Sequence, residues 1–146
     1  MRLSNVWFTA LSEDDKGHMV SVYGRDELDE FVKSGKFKER VEITWKYESD
    51  AKGMPSDELA EKMETVEETL RKAMEKDKLS ILSGVYTGGG EKVWVYYTRT
   101  TRVFGERLNE VLAPFEVLPI TIYTEVDPGW EEYLDMYEMK EWAVDL

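Results

Sequence analysis

The chain has 146 residues and carries 31 acidic against 19 basic side chains, for a formal net charge of −12, and it contains no cysteine. That length suits one domain with a core that needs no cross-links. The lack of cysteine excludes a disulfide framework, a thiolate metal site and a cysteine nucleophile. The acid excess repels phosphate backbones unless basic residues cluster, and we find no such cluster, so we expect no nucleic-acid partner.

Neither a signal peptide nor a membrane span is predicted. The segment Met1–Asn5 leads into no apolar run long enough for a signal peptide. No window approaches the ~18 consecutive apolar residues that a transmembrane helix needs. We therefore expect a soluble, cytoplasmic protein without a membrane partner.

The start of the chain predicts a β-hairpin followed by a short helix. Asn5–Leu11 is β-prone, Ser12–Gly17 is a polar turn, and His18–Tyr23 reads as the returning strand. Asp26 suits the N-cap of the helix, and Gly35 suits its C-terminal stop.

The second part of the chain begins with the clearest strand pattern. Four apolar or aromatic residues alternate with polar ones: Val41, Ile43, Trp45 and Tyr47. This period of two predicts a strand with one buried face and one polar face. Asp57 to about Lys78 then predicts a long helix, because apolar residues recur there every three or four positions.

A second hairpin follows the long helix. Leu79–Tyr86 and Lys92–Thr98 predict strands, and the loop between them contains three successive glycines. A turn centred on that loop places Gly84 opposite Trp94. A phosphate cradle is not indicated, because such a loop needs a helix directly after it and here a strand follows.

The remaining pattern completes an α+β architecture. Thr100 or Thr101 is expected to begin a helix that Pro114 ends, and Val117–Tyr123 predicts the last strand. Residues 41–123 thus predict a ferredoxin-like βαββαβ core, an antiparallel or mixed sheet with both helices on one face. With the N-terminal hairpin and helix and a short C-terminal helical tail, residues 1–146 form a single domain.

The strand Lys92–Thr98 is apolar or aromatic on both sides. Val93, Val95 and Tyr97 point one way, whereas Trp94 and Tyr96 point the other way. A strand of this kind needs cover on its second face, because a large open apolar patch is unusual on a soluble monomer. Either the chain's own N-terminal unit and C-terminal tail provide that cover, or another molecule does.

No residue pattern predicts a catalytic, cofactor or metal site. His18 is the only histidine, and no Gly-x-Ser-x-Gly elbow is present to support a hydrolase triad. The densest carboxylates beside aromatic residues are Glu125, Asp127, Glu131 and Glu132. A general acid and base among them would need a cleft that moves two pKa values apart.

Several short motifs resemble a known family. They are Gly53-Met54-Pro55, Gly84-Val85-Tyr86-Thr87-Gly88, Trp94-x-Tyr96-Tyr97-Thr98 and, most specifically, Asp127-Pro128-x-Trp130-x-x-Tyr133. Together they resemble the bacterial domain of unknown function 695 (DUF695), over about residues 6–137. The resemblance implies no activity and no catalytic residues. Some proteins of this type carry a neighbouring domain similar to the B-type regulator of ribonuclease E, which implies a regulatory binding role.

Two functional hypotheses follow, beside the plain alternative that these residues only pack. The first is a non-enzymatic binding or regulatory module that contacts a protein partner, or itself as a homodimer. Its surface would be the outer face bearing Trp94 and Tyr96, helped by Trp130, Tyr133 and Asp127. The second is a small hydrolase or ligand-binding enzyme that uses carboxylates of Glu125–Glu132 in a pocket under the C-terminal tail.

Overall fold

The computed structural model describes residues 1–144, which form a mixed α+β fold of six strands, four α-helices and a short C-terminal 3₁₀ helix. The strands are β1 Trp7–Glu13, β2 Met19–Arg25, β3 Glu39–Lys46, β4 Ser80–Gly88, β5 Glu91–Thr98 and β6 Ile120–Val126. The helices are α1 Asp29–Ser34, α2 Asp57–Glu75, α3 Thr101–Leu112 and α4 Glu131–Tyr137, and the 3₁₀ helix is Glu138–Trp142.

All six strands form one antiparallel sheet in the order β1-β2-β4-β5-β3-β6. The predicted N-terminal hairpin is therefore present, and it extends the sheet beside β4. The strands from the second part of the chain lie in the order β4-β5-β3-β6. Strands β1 and β6 are the two edges of the sheet.

Helices α2 and α3 cover one face of the sheet, which we call the helix face. The strands contribute Val41, Ile43, Trp45, Val85, Trp94 and Tyr96, and the helices contribute Met63, Val66, Leu70, Met74, Phe104 and Leu108. Helix α2 begins where the Ser56 hydroxyl accepts a hydrogen bond from the Leu59 N–H at 3.2 Å. Asp57 and Glu58 place negative charge in its first turn, as the helix dipole favours.

The second face of the sheet is covered by helices α1 and α4 and by the segment between α1 and β3. Its core contains Phe8, Ala10, Val22, Leu28, Phe31, Phe37, Ile81, Val95, Tyr97, Trp130, Tyr133 and Met136. The N-terminal unit and the C-terminal tail thus provide the cover that the two-sided apolar pattern of β5 required. Nearer the hairpin turns, Val20, Tyr86 and Val93 stay partly exposed.

The β4–β5 register differs from the sequence prediction by one residue. Gly84 lies opposite Val95, and Val85, not Gly84, lies opposite Trp94. The prediction was wrong because only Gly89 and Gly90 form the loop, with φ values of 60° and 81° that suit a tight primed turn. Gly88 already pairs with Glu91.

Several predicted element boundaries also differ from the structure, and two of these differences concern the starts of α1 and β6. The residue at the N-cap position of α1 is Leu28, and the Asp26 carboxylate accepts hydrogen bonds from the Glu27 N–H and the Tyr137 hydroxyl. Strand β6 begins at Ile120, because Pro119 has no N–H to donate to a neighbouring strand.

Candidate functional site

Trp94 and Tyr96 lie beneath α2 and α3, so the surface predicted to bear them is not an outer face. Their exposed fractions are 1% and 0%. The Trp94 indole N–H donates to the Glu67 carboxylate at 2.7 Å, and the Tyr96 ring packs edge-on against Phe104 with centroids 5.3 Å apart. The Tyr96 hydroxyl is buried and has no hydrogen-bond partner within residues 1–144.

Trp130 and Tyr133 lie on the opposite face of the sheet and are also buried. The Trp130 ring stacks on Tyr97 with centroids 4.0 Å apart, and its indole N–H donates to the Phe37 carbonyl at 2.9 Å. The Tyr133 hydroxyl donates to the Arg25 carbonyl at 2.6 Å. The sheet therefore separates the two predicted aromatic pairs, and they do not share one surface.

Asp127 joins β3, β5 and the start of α4. Its Oδ2 accepts from the Arg40 guanidinium at 2.9 Å and from the Tyr97 hydroxyl at 2.7 Å. The same carboxylate accepts from the N–H groups of Glu131 at 2.9 Å and Glu132 at 3.3 Å. Asp127 thus anchors the first turn of α4.

The hydrogen bonds to Asp127 determine its protonation. Burial by itself would raise the pKa of this carboxyl, but the Tyr97 hydroxyl, the backbone N–H groups and Arg40 together hold the pKa below its ordinary value. Protonation of Oδ2 would break one of the three hydrogen bonds that this oxygen accepts, which opposes a role for Asp127 as a general acid or base.

Arg40 holds two further carboxylates, so the charge cluster joins β3 to β6. Its Nε donates to Glu42 at 2.7 Å, and its Nη2 donates to Glu125 at 2.6 Å. Burial opposes the charge on Arg40, but the hydrogen bonds that it donates to Asp127, Glu42 and Glu125 raise its pKa and keep it charged. Arg40 was not predicted from the sequence, although Arg40-x-Glu42 and Glu125-x-Asp127 on two strands were a usable signal.

The carboxylates proposed for an enzyme do not converge into one acid–base pair. Glu131 and Glu125 are exposed, whereas Asp127 is buried and Glu132 is half-buried. Burial, followed by the charge of Glu42, raises the pKa of Glu132. Across residues 1–144, no three carboxylate or imidazole side chains are arranged to hold a metal ion.

Strand β6 is the more exposed of the two sheet edges. Six of its seven residues are exposed, including Ile122, Tyr123 and Val126, the last with 71% of its surface accessible. Within residues 1–144, β6 pairs with β3 alone. Edge β1 differs, because the 3₁₀ helix contacts it and the Val144 N–H donates to the Thr9 carbonyl at 2.8 Å.

The backbone of β6 presents hydrogen-bonding groups to solvent. The Lys46 N–H donates to the Pro119 carbonyl at 3.4 Å, and the Asp127 N–H donates to the Lys38 carbonyl at 2.8 Å. Odd-numbered residues of this segment therefore direct their backbone groups at β3. Because antiparallel ladders alternate, the even-numbered residues direct theirs away from the sheet: Ile122, Thr124 and Val126.

An apolar groove lies beside the beginning of β6 on the helix face. Its volume is about 270 Å³, and Leu112, Phe115, Leu118 and Ile120 contribute its apolar lining. Val117, with 99% of its surface accessible, stands at the rim. We call this feature the β6 groove, and we call the outward backbone and side chains of Ile120–Val126 the β6 edge.

Comparison with protein-family models identifies the family of the chain. The model of a family of unknown function (DUF695) matches residues 7–137. The chain belongs to the DUF695 family. The predicted resemblance is thus confirmed over nearly the expected span. No curated protein and no solved structure matches this DUF695 chain, so no relative supplies an activity or a site residue. Within residues 1–144, none of the helices has the length and apolar character needed to cross a bilayer.

Proposed function

We propose that this DUF695 protein is a non-enzymatic binding module that pairs its β6 edge with an extended segment of a protein partner. The observation that carries the proposal is the outer side of β6, which pairs with no other strand among residues 1–144 and presents six exposed residues and outward N–H and C=O groups. Strand addition of this kind takes affinity from main-chain hydrogen bonds and specificity from alternate side chains.

The composition of β6 supports a role in pairing. The strand reads Ile-Thr-Ile-Tyr-Thr-Glu-Val, which is rich in β-branched and aromatic residues. It contains neither lysine nor proline, and its register with β3 is continuous, so it lacks the usual devices that protect an edge. Its one charged residue, Glu125, is held by Arg40 at 2.6 Å.

The surface proposed here replaces the aromatic surface expected from the sequence. Trp94, Tyr96, Trp130 and Tyr133 are 4% exposed or less, so a partner could touch them only after local unfolding. The Arg40 cluster instead supports binding indirectly, because it ties β6 to β3 and to the start of α4.

We also propose that Glu39–Val126 is a ferredoxin-like βαββαβ unit, to which β1 and β2 add two strands. The β4-β5-β3-β6 order and the antiparallel pairs support this proposal. So does the packing of α2 and α3 on one face. In that arrangement β6 is the last strand and an edge, which leaves it free to bind.

Selection of displayed random peptides tests the binding proposal. The chain is immobilised at low density, and the Thr124→Pro variant, which lacks one outward N–H, serves for comparison. Proline is tolerated on an edge where its nitrogen faces solvent. We expect β-prone peptides to be enriched on the wild type and on Thr124→Val, which keeps the N–H, but not on Thr124→Pro.

Two outcomes would contradict the proposal: no enrichment on the wild-type chain, or equal enrichment of the same peptides on Thr124→Pro. Circular dichroism and thermal melts of all three proteins establish that each is folded before selection.

A further inference from the structure

We infer that the segment bound at the β6 edge is β6 of a second copy of this chain, antiparallel to the first about a two-fold axis at Tyr123. This inference rests on the proposed function and names its partner. The resulting dimer would join two six-stranded sheets into one continuous sheet. Two observations carry the inference: the outward backbone groups of β6 and the groove beside it.

The backbone alternation of β6 fits this two-fold axis. Ile122 and Thr124 both direct their backbone groups outward and lie at equal distances on either side of Tyr123. An axis at Tyr123 places Ile122 of each copy opposite Thr124 of the other, as hydrogen-bonded pairs. The same register places the Val126 N–H opposite the Ile120 carbonyl. The Ile120 N–H is not needed, since it already donates to the Leu118 carbonyl at 2.8 Å.

The helix-face side chains of β6 are complementary in the same register. Ile122 and Thr124 project on the side of their β3 neighbours Ile43 and Val41, which belong to the helix-face core. Val126, two residues further, projects on that side too. Opposite Ile120 of the second copy, it lies at the mouth of the β6 groove. The dimer therefore buries the most exposed apolar residue of each β6 against the apolar groove of the other copy.

The other side of the strand contains no unpaired charge. Tyr123 meets Tyr123 of the second copy at the axis, and Glu125 lies opposite Thr121. The Glu125 carboxylate accepts hydrogen bonds from Arg40 at 2.6 Å and from the Tyr123 hydroxyl at 3.0 Å, so both residues are already oriented. A shift by two residues would place Val126 opposite Ile122 or Leu118 and would lose this match to Ile120.

The net charge opposes association at long range. Each copy carries a formal charge of −12, so the two copies repel, and added salt screens that repulsion. The contact is a single strand pair with two small grooves, at the low end of specific interfaces. We therefore expect a dissociation constant on the order of micromolar that falls as the ionic strength rises.

Sedimentation equilibrium of the full chain between about 1 and about 200 µM tests the dimer. We expect wild type to dimerise and Val126→Lys, at an exposed position, to weaken association by at least about tenfold relative to Thr69→Lys, which makes the same change in net charge, because the lysine would face the apolar lining of the groove. Thr124→Pro should also abolish the dimer, while Thr124→Val should keep it. Thermal melts identify any variant that fails to fold.

A charge pair tests the register. Thr121→Lys would face Glu125 of the second copy and should strengthen the dimer, whereas Thr121→Glu should weaken it. The dissociation constants of the two variants should differ by about fivefold. The same two substitutions at Thr69, which is exposed on α2, correct for the change in net charge. Equal effects at both positions would overturn the Tyr123 axis.

The outcomes separate this inference from the function on which it rests. A wild-type monomer at every concentration, with peptides still enriched on the β6 edge, overturns the dimer and leaves the binding module. A dimer that neither Val126→Lys nor Thr124→Pro weakens uses another surface and overturns the dimer inference. The absence of both dimer and peptide enrichment overturns both proposals.

Discussion

Asp127 is the residue at which the predicted chemistry and the observed structure differ most. It belongs to the densest carboxylate group in the sequence, yet donors from β3, β5 and the backbone of α4 use its lone pairs. The residue that the sequence offered as one member of an acid–base pair instead connects β3, β5 and α4 through hydrogen bonds. Burial and hydrogen bonding, neither of which a sequence displays, decide between the two roles.

We predict that Asp127→Asn lowers the free energy of unfolding by about 2–4 kcal/mol at pH 7, because the amide lacks the charge that balances Arg40 and replaces one acceptor oxygen with a donor. The difference from wild type should shrink in acid. A carboxyl with a lowered folded-state pKa contributes stability above its ordinary pKa of 3.8, and that contribution is lost as the pH falls through the folded value. Urea unfolding at a series of pH values measures both effects.

Glu131→Gln is the matched control, since that side chain is exposed and adjoins the same turn. Its stability should stay within about 0.5 kcal/mol of wild type. If Asp127→Asn and Glu131→Gln behave alike, Asp127 does not clamp α4.

At the scale of elements, two facing glycines allow α4 to approach the sheet. Gly24 on β2 lies opposite Gly84 on β4, and Met136 of α4 fills the space above both. A Cβ on Gly24 would meet the Phe8 ring and would lie 2.6 Å from the Met136 sulfur, whereas a Cβ on Gly84 would lie 3.3 Å from that sulfur. Gly84 therefore leaves room for Met136 of α4. It does not lie opposite the Trp94 indole, as the sequence predicted.

We predict that Gly24→Ala destabilises the protein by about 2–3 kcal/mol and Gly84→Ala by about 1 kcal/mol or less. The reason is that a flexible methionine can move by a few tenths of an ångström, but the Phe8 ring in the core cannot. Chemical denaturation of the two variants gives the comparison directly, since the two residues are neighbours in the same sheet.

Met136→Ala provides the control for these glycine variants. In that background Gly84→Ala should lose its cost, because the atom it meets has gone, while Gly24→Ala should keep most of its cost against Phe8. Equal costs for the two glycine variants in both backgrounds would contradict the packing account.

For the whole molecule, the N-terminal unit completes the core on the second face of the sheet. Phe8, Val22 and Phe31 come from the first part of the chain, and they pack in one cluster with Tyr97 and Trp130 from the last part. The partly buried ion pair of Arg25 with Glu75, at 2.7 Å, adds a link from β2 to the end of α2. Without β1, β2 and α1, the remaining elements would leave much of this face of the sheet uncovered.

We predict that residues 39–146 alone do not fold cooperatively, because removing β1, β2 and α1 exposes the second face and the edge of β4. Circular dichroism, thermal melts and the dispersion of amide NMR signals would show this. A fragment that is monomeric and melts cooperatively would contradict the prediction and would identify the N-terminal unit as an appendage.

Much of the element order could be predicted from residue patterns. The alternation of Val41, Ile43 and Trp45, the helical spacing of Met63, Val66 and Leu70, and the glycines before Glu91 each act within a few residues. The prediction of the β4–β5 register was wrong because two-residue and three-residue glycine loops give the same local sequence pattern. The placement of Trp94 and Tyr96 on an outer face was wrong because both faces of β5 are apolar, and the strand pattern alone does not show which face the helices cover.

The sequence by itself determined the α+β class, the number and order of most elements and the DUF695 family, since all of these depend on local periodicity or on short motifs. Only the tertiary structure decided that Trp94, Tyr96, Trp130 and Tyr133 are core residues and that β6 is an open edge. The physical reason is that the exposure of a side chain and the pairing of a strand depend on which residues are its neighbours in space. Segments far away along the chain decide whether a strand has a second partner. They also decide whether a helix covers an aromatic face of the sheet.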